Sequence, residues 1–456
     1  MAQSSTIDVS RLIDERKMNA FNARLVILSF FVILIDGYDI AAVAYAGPFL
    51  VKEWGLTSMA ALSFAFSAGL VGILFGSPLF GFVGDRYGRK KAIIGSCITF
   101  GVFTLAAVRA TSVSDLIILR FLAGFGIGGL LPNIIALNAE FAPRRVRATM
   151  IIIMFTGITF GGAVPWAISY WLAPQYGWQL LFWVGGIAPI VMSVAVLLWM
   201  PESIKFLVVK TRNQAEVARL VARLSSSLDV TPGTTFVIRD EQNYASFSPK
   251  LLFADGLHYL TPLLWVLFVC NLMAFYFTSQ WLPTVLPSVG VSRDNGAGAL
   301  ALFQIGGTIG GLLLSRQLDK KGLVPVVILF LLSMPIVASI GYSVGSVPVL
   351  MVVAFLAGFC LLGLQFGINA TSAMIYPTSI RSNGSGWAFG VGRFGSIAGP
   401  IIAGFLLDMH FPIHQIFMLL LIPLGIGTVA SFAMARLYYE KFQGHGLGQR
   451  EVLSGD

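Results

Sequence analysis

The chain has 456 residues, of which 56% are hydrophobic and only 11% are charged. A soluble protein of this size exposes more charged surface, so the composition excludes an ordinary soluble enzyme or binding domain. The formal net charge of +9 does not indicate a nucleic-acid partner, because Lys and Arg are concentrated beside apolar segments. We therefore expect a lipid bilayer to surround most of the chain.

Twelve apolar segments are long enough to cross a bilayer, whose hydrocarbon core of about 30 Å needs roughly 20 helical residues. They are continuously apolar rather than alternating, which argues against a transmembrane β-barrel. The predicted spans are 24–46, 58–82, 90–109, 115–137, 147–172, 178–200, 258–287, 295–315, 323–345, 348–371, 382–406 and 412–436. The predicted fold class is an all-α polytopic membrane protein.

The sequence repeats itself at an offset of 355 − 121 = 234 residues, where the pentapeptide that begins at Phe121 recurs from Phe355. Loop residues repeat at the same offset, as in Gly129/Gly363, Pro143/Pro377, Arg147/Arg381, Asp85/Asp319 and Gly88/Gly322. This pattern predicts two parallel, pseudo-symmetric six-helix halves. The predicted division is an N-terminal segment 1–23, a first half 24–200, a polar linker 201–257 with a short amphipathic helix, a second half 258–437 and a tail 438–456.

Basic residues predict the orientation of the chain in the membrane. If the N-terminus is cytoplasmic, the opposite side receives only Lys52, Arg109 and Arg293. Lys and Arg beside a span are retained in the cytoplasm, so both termini are predicted to be cytoplasmic in a multi-pass inner-membrane protein. The N-terminus has no cleavable signal pattern, and we expect the first span to remain as a helix.

A loop motif rich in Gly, Asp and Arg follows the second span. Small residues let helices approach closely, and Asp85 can pair with an arginine or with a neighbouring helix N-terminus. We predict a cytoplasmic latch formed by Gly84, Asp85, Arg86, Arg89, Glu140, Arg147, Asp319 and Arg381. The alternative is a loop that only orients the chain.

Three ionisable residues are predicted near the middle of spans: Asp36 and Asp39 in the first and Arg393 in the eleventh. A charge in the bilayer costs about 2.5–3.5 kcal/mol on insertion scales, so it normally faces a cavity or a partner. Two carboxylates three residues apart repel each other, which favours proton binding at one of them. Arg393 can bind a carboxylate through two hydrogen bonds and is predicted to anchor an organic anion. The alternatives are that one of the aspartates is a structural residue bonded to the backbone or to an arginine, and that Arg393 forms a permanent salt bridge with Asp36 or Asp39.

The motif Gly81-x-x-x-Asp85-Arg86-x-Gly88-Arg89-Lys90, in a two-half chain of twelve spans, resembles the major facilitator superfamily. More narrowly, Asp36-Gly37-Tyr38-Asp39 and Arg393 are similar to the aromatic acid:proton symporter family. This resemblance implies import of a hydroxybenzoate- or benzoate-like carboxylate together with protons, by alternating access. It implies no cofactor, because the proton gradient would drive transport.

Further residues are predicted to complete the substrate pocket: Asn133, Gln304, Asn369, Trp166, Trp387 and Tyr38. Arg120, near one end of the fourth span, is predicted to support helix packing or a proton path rather than to contact substrate. The expected partners are a small organic anion, protons and the lipid bilayer, and we expect a monomer.

Other functions remain open at this point. A proton-coupled exporter of drugs or metabolites would use the same carboxylates, although Arg393 would repel a cationic cargo. A non-aromatic acid such as muconate would meet the same charged residues. A sensor that signals through the linker is disfavoured because the linker is short. An enzyme is disfavoured because the four histidines form no cluster with a nucleophile or with metal-ligand spacing.

Overall fold

The computed structural model describes residues 6–15, 18–143, 146–211, 214–224, 234–237, 249–254, 256–376 and 380–442. Within these residues, twelve helices are long and apolar enough to cross a membrane. A helix satisfies its backbone hydrogen bonds internally, which is why an apolar segment in lipid becomes helical. The prediction of twelve spans is confirmed.

Six helices form the first half. They are α1 (Ala20–Glu53), α2 (Met59–Tyr87), α3 (Arg89–Ala107), α4 (Val113–Ile127, continued as Leu130–Phe141), α5 (Arg147–Ala167, continued through a π-helical turn to Tyr176) and α6 (Gln179–Trp199). The first helix exceeds the predicted span 24–46 at both ends, and Lys52 and Glu53 complete its last turn.

The second half repeats this arrangement. Its helices are α7 (Leu257–Ser288), α8 (Arg293–Lys321), α9 (Val324–Ser339, continued as a 3-10 helix to Gly345), α10 (Val347–Ile375), α11 (Arg381–Asp408) and α12 (Ile413–Leu419, continued as Leu421–Phe442).

Between the halves, the helix Gln214–Leu224 confirms the predicted amphipathic helix of the linker. Its Val217, Leu220, Val221 and Leu224 are buried. A strand β1 (Thr6–Asp8) pairs in parallel with a strand β2 (Thr235–Val237), which the apolar pattern did not predict. This two-stranded sheet joins the N-terminal segment to the linker.

The two halves pack their helices in the same way. In the first half α1 packs on α5, α2 on α4 and α3 on α6. In the second half the corresponding pairs are α7 with α11, α8 with α10 and α9 with α12. The halves meet through α2 with α11, α5 with α8 and α1 with α7, which is the pattern expected of parallel repeats.

Equivalent glycines make the repeat visible at atomic level. A Cβ at Gly72 would collide with the carbonyl oxygen of Phe121, and a Cβ at Gly306, 234 residues later, would collide with that of Phe355. These aromatic residues begin the repeated pentapeptide. Small residues at these sites let two helix backbones touch, so the repeated sequence encodes a repeated helix contact.

The two membrane sides differ in how the halves meet. We call the side of the turns at Gly88 and Gly322 the termini side, because the described chain ends also lie there, and the opposite side the far side. Near the far side, the Cβ of a substituted Gly404 on α11 would lie 2.6 Å from the Cβ of Ser63 on α2. Toward the termini side, Gly81 on α2 lies eighteen residues from Ser63, and Gly386 on α11 lies eighteen residues from Gly404 (81 − 63 = 18; 404 − 386 = 18). A Cβ built at Gly81 or at Gly386 would have no atom within 4 Å.

Eighteen residues are five helical turns, or about 27 Å. Ser63 and Gly81 therefore lie on one face of α2, and Gly386 and Gly404 lie on one face of α11. The faces of α2 and α11 that touch near the far side therefore separate toward the termini side. The two halves therefore touch on the far side and leave a space between α2 and α11 on the termini side, which we call the open space.

Candidate functional site

Asp39 on α1 forms an ion pair with Arg120 on α4. One guanidinium nitrogen donates a hydrogen bond of 2.8 Å to Asp39 Oδ1, and the other lies 2.7 Å from Oδ2. The side chain of Arg120 is 4% exposed and that of Asp39 is 0% exposed. Thr104 on α3 also donates a hydrogen bond to Asp39 Oδ1, at 3.4 Å. Three helices of the first half therefore meet at this carboxylate.

The sequence did not reveal this ion pair. The sequence predicted that Arg120 supports helix packing or a proton path, but it did not identify Asp39 as its partner; the structure turns Arg120 inward onto Asp39. Gly69 on α2 makes this possible, because a Cβ there would lie 3.2 Å from a guanidinium nitrogen of Arg120. The available signal was charge balance, since an intramembrane arginine normally pairs with an intramembrane acid.

Asp36, one turn before Asp39, has a different environment. It is 1% exposed, and its Oδ1 is buried without a hydrogen-bond partner. Arg393, on α11 of the other half, acts on Asp36 electrostatically. Among the described residues no carboxylate forms a salt bridge with Arg393. The structure therefore separates the two aspartates: Asp39 is paired within its half, whereas Asp36 interacts electrostatically with Arg393 of the other half, which forms no salt bridge among the described residues.

Arg393 lies at the boundary of the open space. It is partly exposed, and Gly386 and Gly390, which lie on the same face of α11, have open space beside them. The hydroxyl of Tyr276 on α7 lies within hydrogen-bonding reach of the guanidinium. A carboxylate that enters from the termini side could therefore reach Arg393 without first displacing an acidic side chain.

A row of amides crosses from α7 to α10 in the second half. Asn271 donates to Gln365 Oε1 at 3.0 Å, and Gln365 donates to Asn369 Oδ1 at 2.9 Å. Gln365 and Asn369 are partly exposed, while Asn271 is fully buried. The predicted lining residue Asn369 thus belongs to a polar row that its sequence neighbours alone did not indicate.

The structure gives three other predicted pocket residues packing partners. Asn133 donates to the carbonyl oxygens of Phe80 and Gly129, at the contact of α4 with α2. Tyr38 donates to the carbonyl oxygen of Leu181 on α6 at 2.9 Å. Gln304 on α8 lies against Gly162 on α5, where the halves touch. Of the three, Gln304 alone lies between the halves.

The two predicted tryptophans pack against other aromatic side chains. Trp166 is near the far-side end of α5, with its ring 5.9 Å from Tyr170 and 5.7 Å from Trp171. Trp387 is 46% exposed and stacks on Trp265 at 6.3 Å. It precedes Arg393 by six residues, which places the two side chains about 120° apart on the helix. Trp387 therefore lies on a different face of α11 from Arg393.

The loop motif after α2 forms a network inside the first half. Arg89 pairs with Glu140 at the end of α4, and Ser203 donates a hydrogen bond of 2.6 Å to the second oxygen of Glu140. Asp85 lies 3.7 Å from Arg89, but its side chain is 77% exposed. Glu202, which the sequence did not single out, accepts a hydrogen bond from the backbone N–H of Lys90 in the first turn of α3.

The other predicted latch residues differ in their surroundings. A Cβ at Gly84 would collide with Asn133, so this glycine serves the contact of α2 with α4. Arg86 is exposed and lies over the rings of Phe82 and Tyr87. The side chains of Arg147, Asp319 and Arg381 lie outside the described part of the chain. Contact of this loop with the second half stays a prediction.

Comparison with known proteins decides the family. The sequence profile of the Major Facilitator Superfamily matches residues 29–322 and 264–451. The chain belongs to the Major Facilitator Superfamily. This confirms the resemblance on which the sequence-based prediction rested.

Curated relatives within the Major Facilitator Superfamily match almost the whole chain. The 4-hydroxybenzoate transporter PcaK of Pseudomonas putida is 33% identical over 426 residues, which cover 93% of this chain and 95% of that protein. The gallate transporter of Pseudomonas putida is 34% identical, with 94% and 95% covered. The benzoate transport protein of Acinetobacter baylyi is 33% identical, with 94% and 93% covered.

Among solved structures, a D-xylose-proton symporter superposes with a TM-score of 0.69 at 18% identity, over 91% of this chain and 97% of that chain. This similarity shows the fold. As a member of the Major Facilitator Superfamily with twelve helices long and apolar enough to cross a membrane, the chain is a multi-pass inner-membrane transport protein.

Proposed function

We propose that the chain imports an aromatic carboxylate of the hydroxybenzoate or benzoate type together with protons, by alternating access. The observation that carries this proposal is the position of Arg393. It is an intramembrane cation without a salt bridge among the described residues, at the edge of the open space and opposite the buried Asp36. The relatives named for 4-hydroxybenzoate, gallate and benzoate support an aromatic acid as the anion.

Arg393 has the chemistry that a carboxylate substrate requires. Its planar guanidinium presents two parallel N–H groups to the two oxygens of a carboxylate and stays charged at every physiological pH. The hydroxyl of Tyr276, which interacts with Arg393, would help to orient the guanidinium. The ring of the substrate would then extend toward the partly exposed amides Gln365 and Asn369, which can bind ring substituents.

Asp36 is the proposed proton carrier. Burial of an unpaired carboxylate is costly, and proton uptake would remove that cost. Asp39 is already compensated by Arg120, so its proposed role is to hold α1 on α4 and to keep a second negative charge near Asp36. A bound substrate carboxylate would neutralise Arg393, after which a proton at Asp36 would leave the interface with little net charge as the halves move.

The orientation is part of the proposal. The basic residues beside the spans support a cytoplasmic termini side. In that orientation the open space of this structure faces the cytoplasm, and the closed far side faces the periplasm. Import would then require a second state in which the far side opens and the termini side closes.

Uptake into proteoliposomes tests the proposal. Labelled benzoate, 4-hydroxybenzoate, protocatechuate, a sugar and a cationic dye are compared with and without an inward proton gradient. We expect gradient-driven accumulation of an aromatic acid, and loss of that accumulation with Arg393→Gln. Proton-driven movement of the dye instead would favour an exporter, and accumulation of none of the aromatic acids would contradict the proposed substrate class.

A further inference from the structure

A carboxylate of the second half closes a helix of the first half. Asp408, the last residue of α11, accepts hydrogen bonds from the hydroxyl of Ser58 at 2.7 Å, from the backbone N–H of Met59 at 2.5 Å and from that of Ala60 at 3.1 Å. Met59 and Ala60 are the first residues of α2. This contact lies on the far side, between helices from different halves.

The contact has the chemistry of a helix cap. The first N–H groups of a helix have no partner within that helix, and the helix dipole favours a negative charge beside them. Ser58 occupies the N-cap position of α2 but makes no capping hydrogen bond to its own helix. Its hydroxyl donates to Asp408 instead, so α2 takes its cap from the other half.

The sequence repeat shows that this arrangement is specific to one position. At the offset of 234, Ser58 corresponds to Ser292, the N-cap of α8 (58 + 234 = 292). Ser292 caps its own helix, since it accepts a hydrogen bond of 3.2 Å from the N–H of Asn295. Asp408 corresponds to Pro174 (408 − 234 = 174), which has no carboxylate. The cap between halves therefore has no equivalent at the repeat-related position.

Neighbouring contacts close the same side. Ser63 on α2 is fully buried against Gly404 on α11. On the other flank, the guanidinium of Arg293 at the start of α8 lies 4.3 Å from the ring centre of Phe49 on α1. Any motion that opens the far side must pull Asp408 away from its three donors and expose the N-terminus of α2.

We propose that Asp408 is a positioning residue for transport: it holds the far-side entrance shut by capping α2, and its release accompanies opening of that entrance. This inference rests on the proposed alternating access. The strength of the cap then sets how often the empty protein opens its far side, and with it the rate at which substrate can enter.

Cysteine labelling measures this opening directly. Ser63→Cys supplies a reporter that is buried while the far side is closed, and the native Cys97, Cys270 and Cys360 are buried inside the helix bundles. The protein is placed in nanodiscs, which expose both membrane sides, and the rate of reaction with a membrane-impermeant maleimide is recorded. Neither the orientation of the chain nor the identity of its substrate affects this measurement.

The test variant is Asp408→Asn, which removes the charge and replaces one acceptor oxygen with a donor. We expect labelling of Cys at position 63 to become about tenfold faster, because several hydrogen bonds to a charged group are weakened together. Ser58→Ala, which removes one of the three donors, should give a smaller increase. Asp408→Glu, which keeps the charge, should lie between the parent and Asp408→Asn.

Asp115 provides a matched control. It also lies at a far-side helix N-terminus and accepts hydrogen bonds from the backbone N–H groups of Thr111 and Ser112, but all of these residues belong to the first half. Asp115→Asn should leave the labelling rate unchanged. The inference would be overturned if Asp115→Asn accelerated labelling at position 63 as much as Asp408→Asn does. It would also be overturned if neither Asp408→Asn nor Ser58→Ala accelerated labelling in folded protein. Failure of the parent to accumulate aromatic acids would instead refute the proposed function, whatever the labelling rates.

Discussion

Arg120 binds both carboxylate oxygens of Asp39, at 2.8 and 2.7 Å, although the two residues are 81 positions apart in the sequence. The pair is buried in the first half and joins α1 to α4. The two aspartates of the first span therefore differ: Asp39 has a charged partner in its own half, whereas Asp36 forms no salt bridge among the described residues.

Arg120→Gln should destabilise the protein severely. The substitution leaves the buried charge of Asp39 without a partner, and loss of one member of a buried ion pair costs about 3–5 kcal/mol. Thermal unfolding in detergent would show a lower midpoint than for the parent. Combining Arg120→Gln with Asp39→Asn removes both charges and should recover much of that loss. A double variant no more stable than Arg120→Gln would show that the pair is not the cause.

Asp36→Asn should leave the protein folded but prevent it from concentrating substrate. Asp36 Oδ1 has no hydrogen-bond partner to lose, so we expect the unfolding midpoint to stay the same or rise. Proton-driven accumulation in proteoliposomes should disappear, because an amide takes up no proton at neutral pH. Exchange of labelled for unlabelled substrate, which needs no net proton movement, should persist. Normal accumulation in this variant would assign the proton role to another residue.

Arg393→Lys should weaken substrate binding while protein abundance stays normal. A lysine keeps the charge but loses the two parallel N–H groups, and hydrogen bonds to charged groups contribute about 1.5–3 kcal/mol each. The KM for uptake should therefore rise on the order of ten- to hundredfold. Arg436→Lys is the control, since Arg436 is 71% exposed and pairs with Glu440 at the end of α12. An unchanged KM for Arg393→Lys would remove Arg393 from the binding site.

Glu140→Gln should lower the stability of the protein, whereas Asp85→Asn should not change it. Glu140 is largely buried and contacts both Arg89 and Ser203, so its neutralisation should lower the unfolding midpoint. Asp85 is exposed, and an exposed pair such as Asp85–Arg89 contributes about 0–1 kcal/mol. We expect Asp85→Asn to leave the midpoint unchanged and to slow transport if the predicted latch operates. Unchanged transport by Asp85→Asn would leave its loop with an orienting role only.

Two glycines of the second half should respond differently to the same substitution. Gly310→Ala would drive its Cβ into the carbonyl oxygen of Phe359 and force α8 away from α10, and overpacking of this kind costs about 1–3 kcal/mol. Gly390→Ala meets no atom within 4 Å and should leave the unfolding midpoint unchanged. Comparable losses at both positions would show that α11 is packed more closely than in this structure.

Much of the architecture follows from the sequence because its causes are local or repeated. Apolar length predicts each helix, and the offset of 234 predicts equivalent halves, down to the matched contacts at Gly72 and Gly306. The intramembrane charges Asp36, Asp39 and Arg393 are also evident, because a charge in an apolar span is conspicuous whatever surrounds it. None of these conclusions requires knowledge of which helices are neighbours.

Which side chains pair depends on which helices are neighbours and on the face that each helix turns toward its neighbour. The sequence did not provide this information. From the sequence, Asn133 and Tyr38 were as plausible pocket residues as Asn369. In the structure their helices are rotated so that both side chains make contacts within the first half. The strands Thr6–Asp8 and Thr235–Val237 were missed because three-residue segments carry too weak a pattern, and only their pairing makes them strands.

By itself, the sequence determined that this is a two-half, twelve-helix membrane protein with charges placed deep in its spans, because hydrophobic length and repetition act along the chain. Only the tertiary structure decided that Arg120 pairs with Asp39 and that Asp408 caps a helix of the other half. It also showed that Arg393 interacts with Asp36 from the other half and forms no salt bridge among the described residues. Each of these relations joins residues far apart in sequence. Their strength depends on distances of a few ångströms, which are fixed by the packing of α1 on α4 and of α2 on α11.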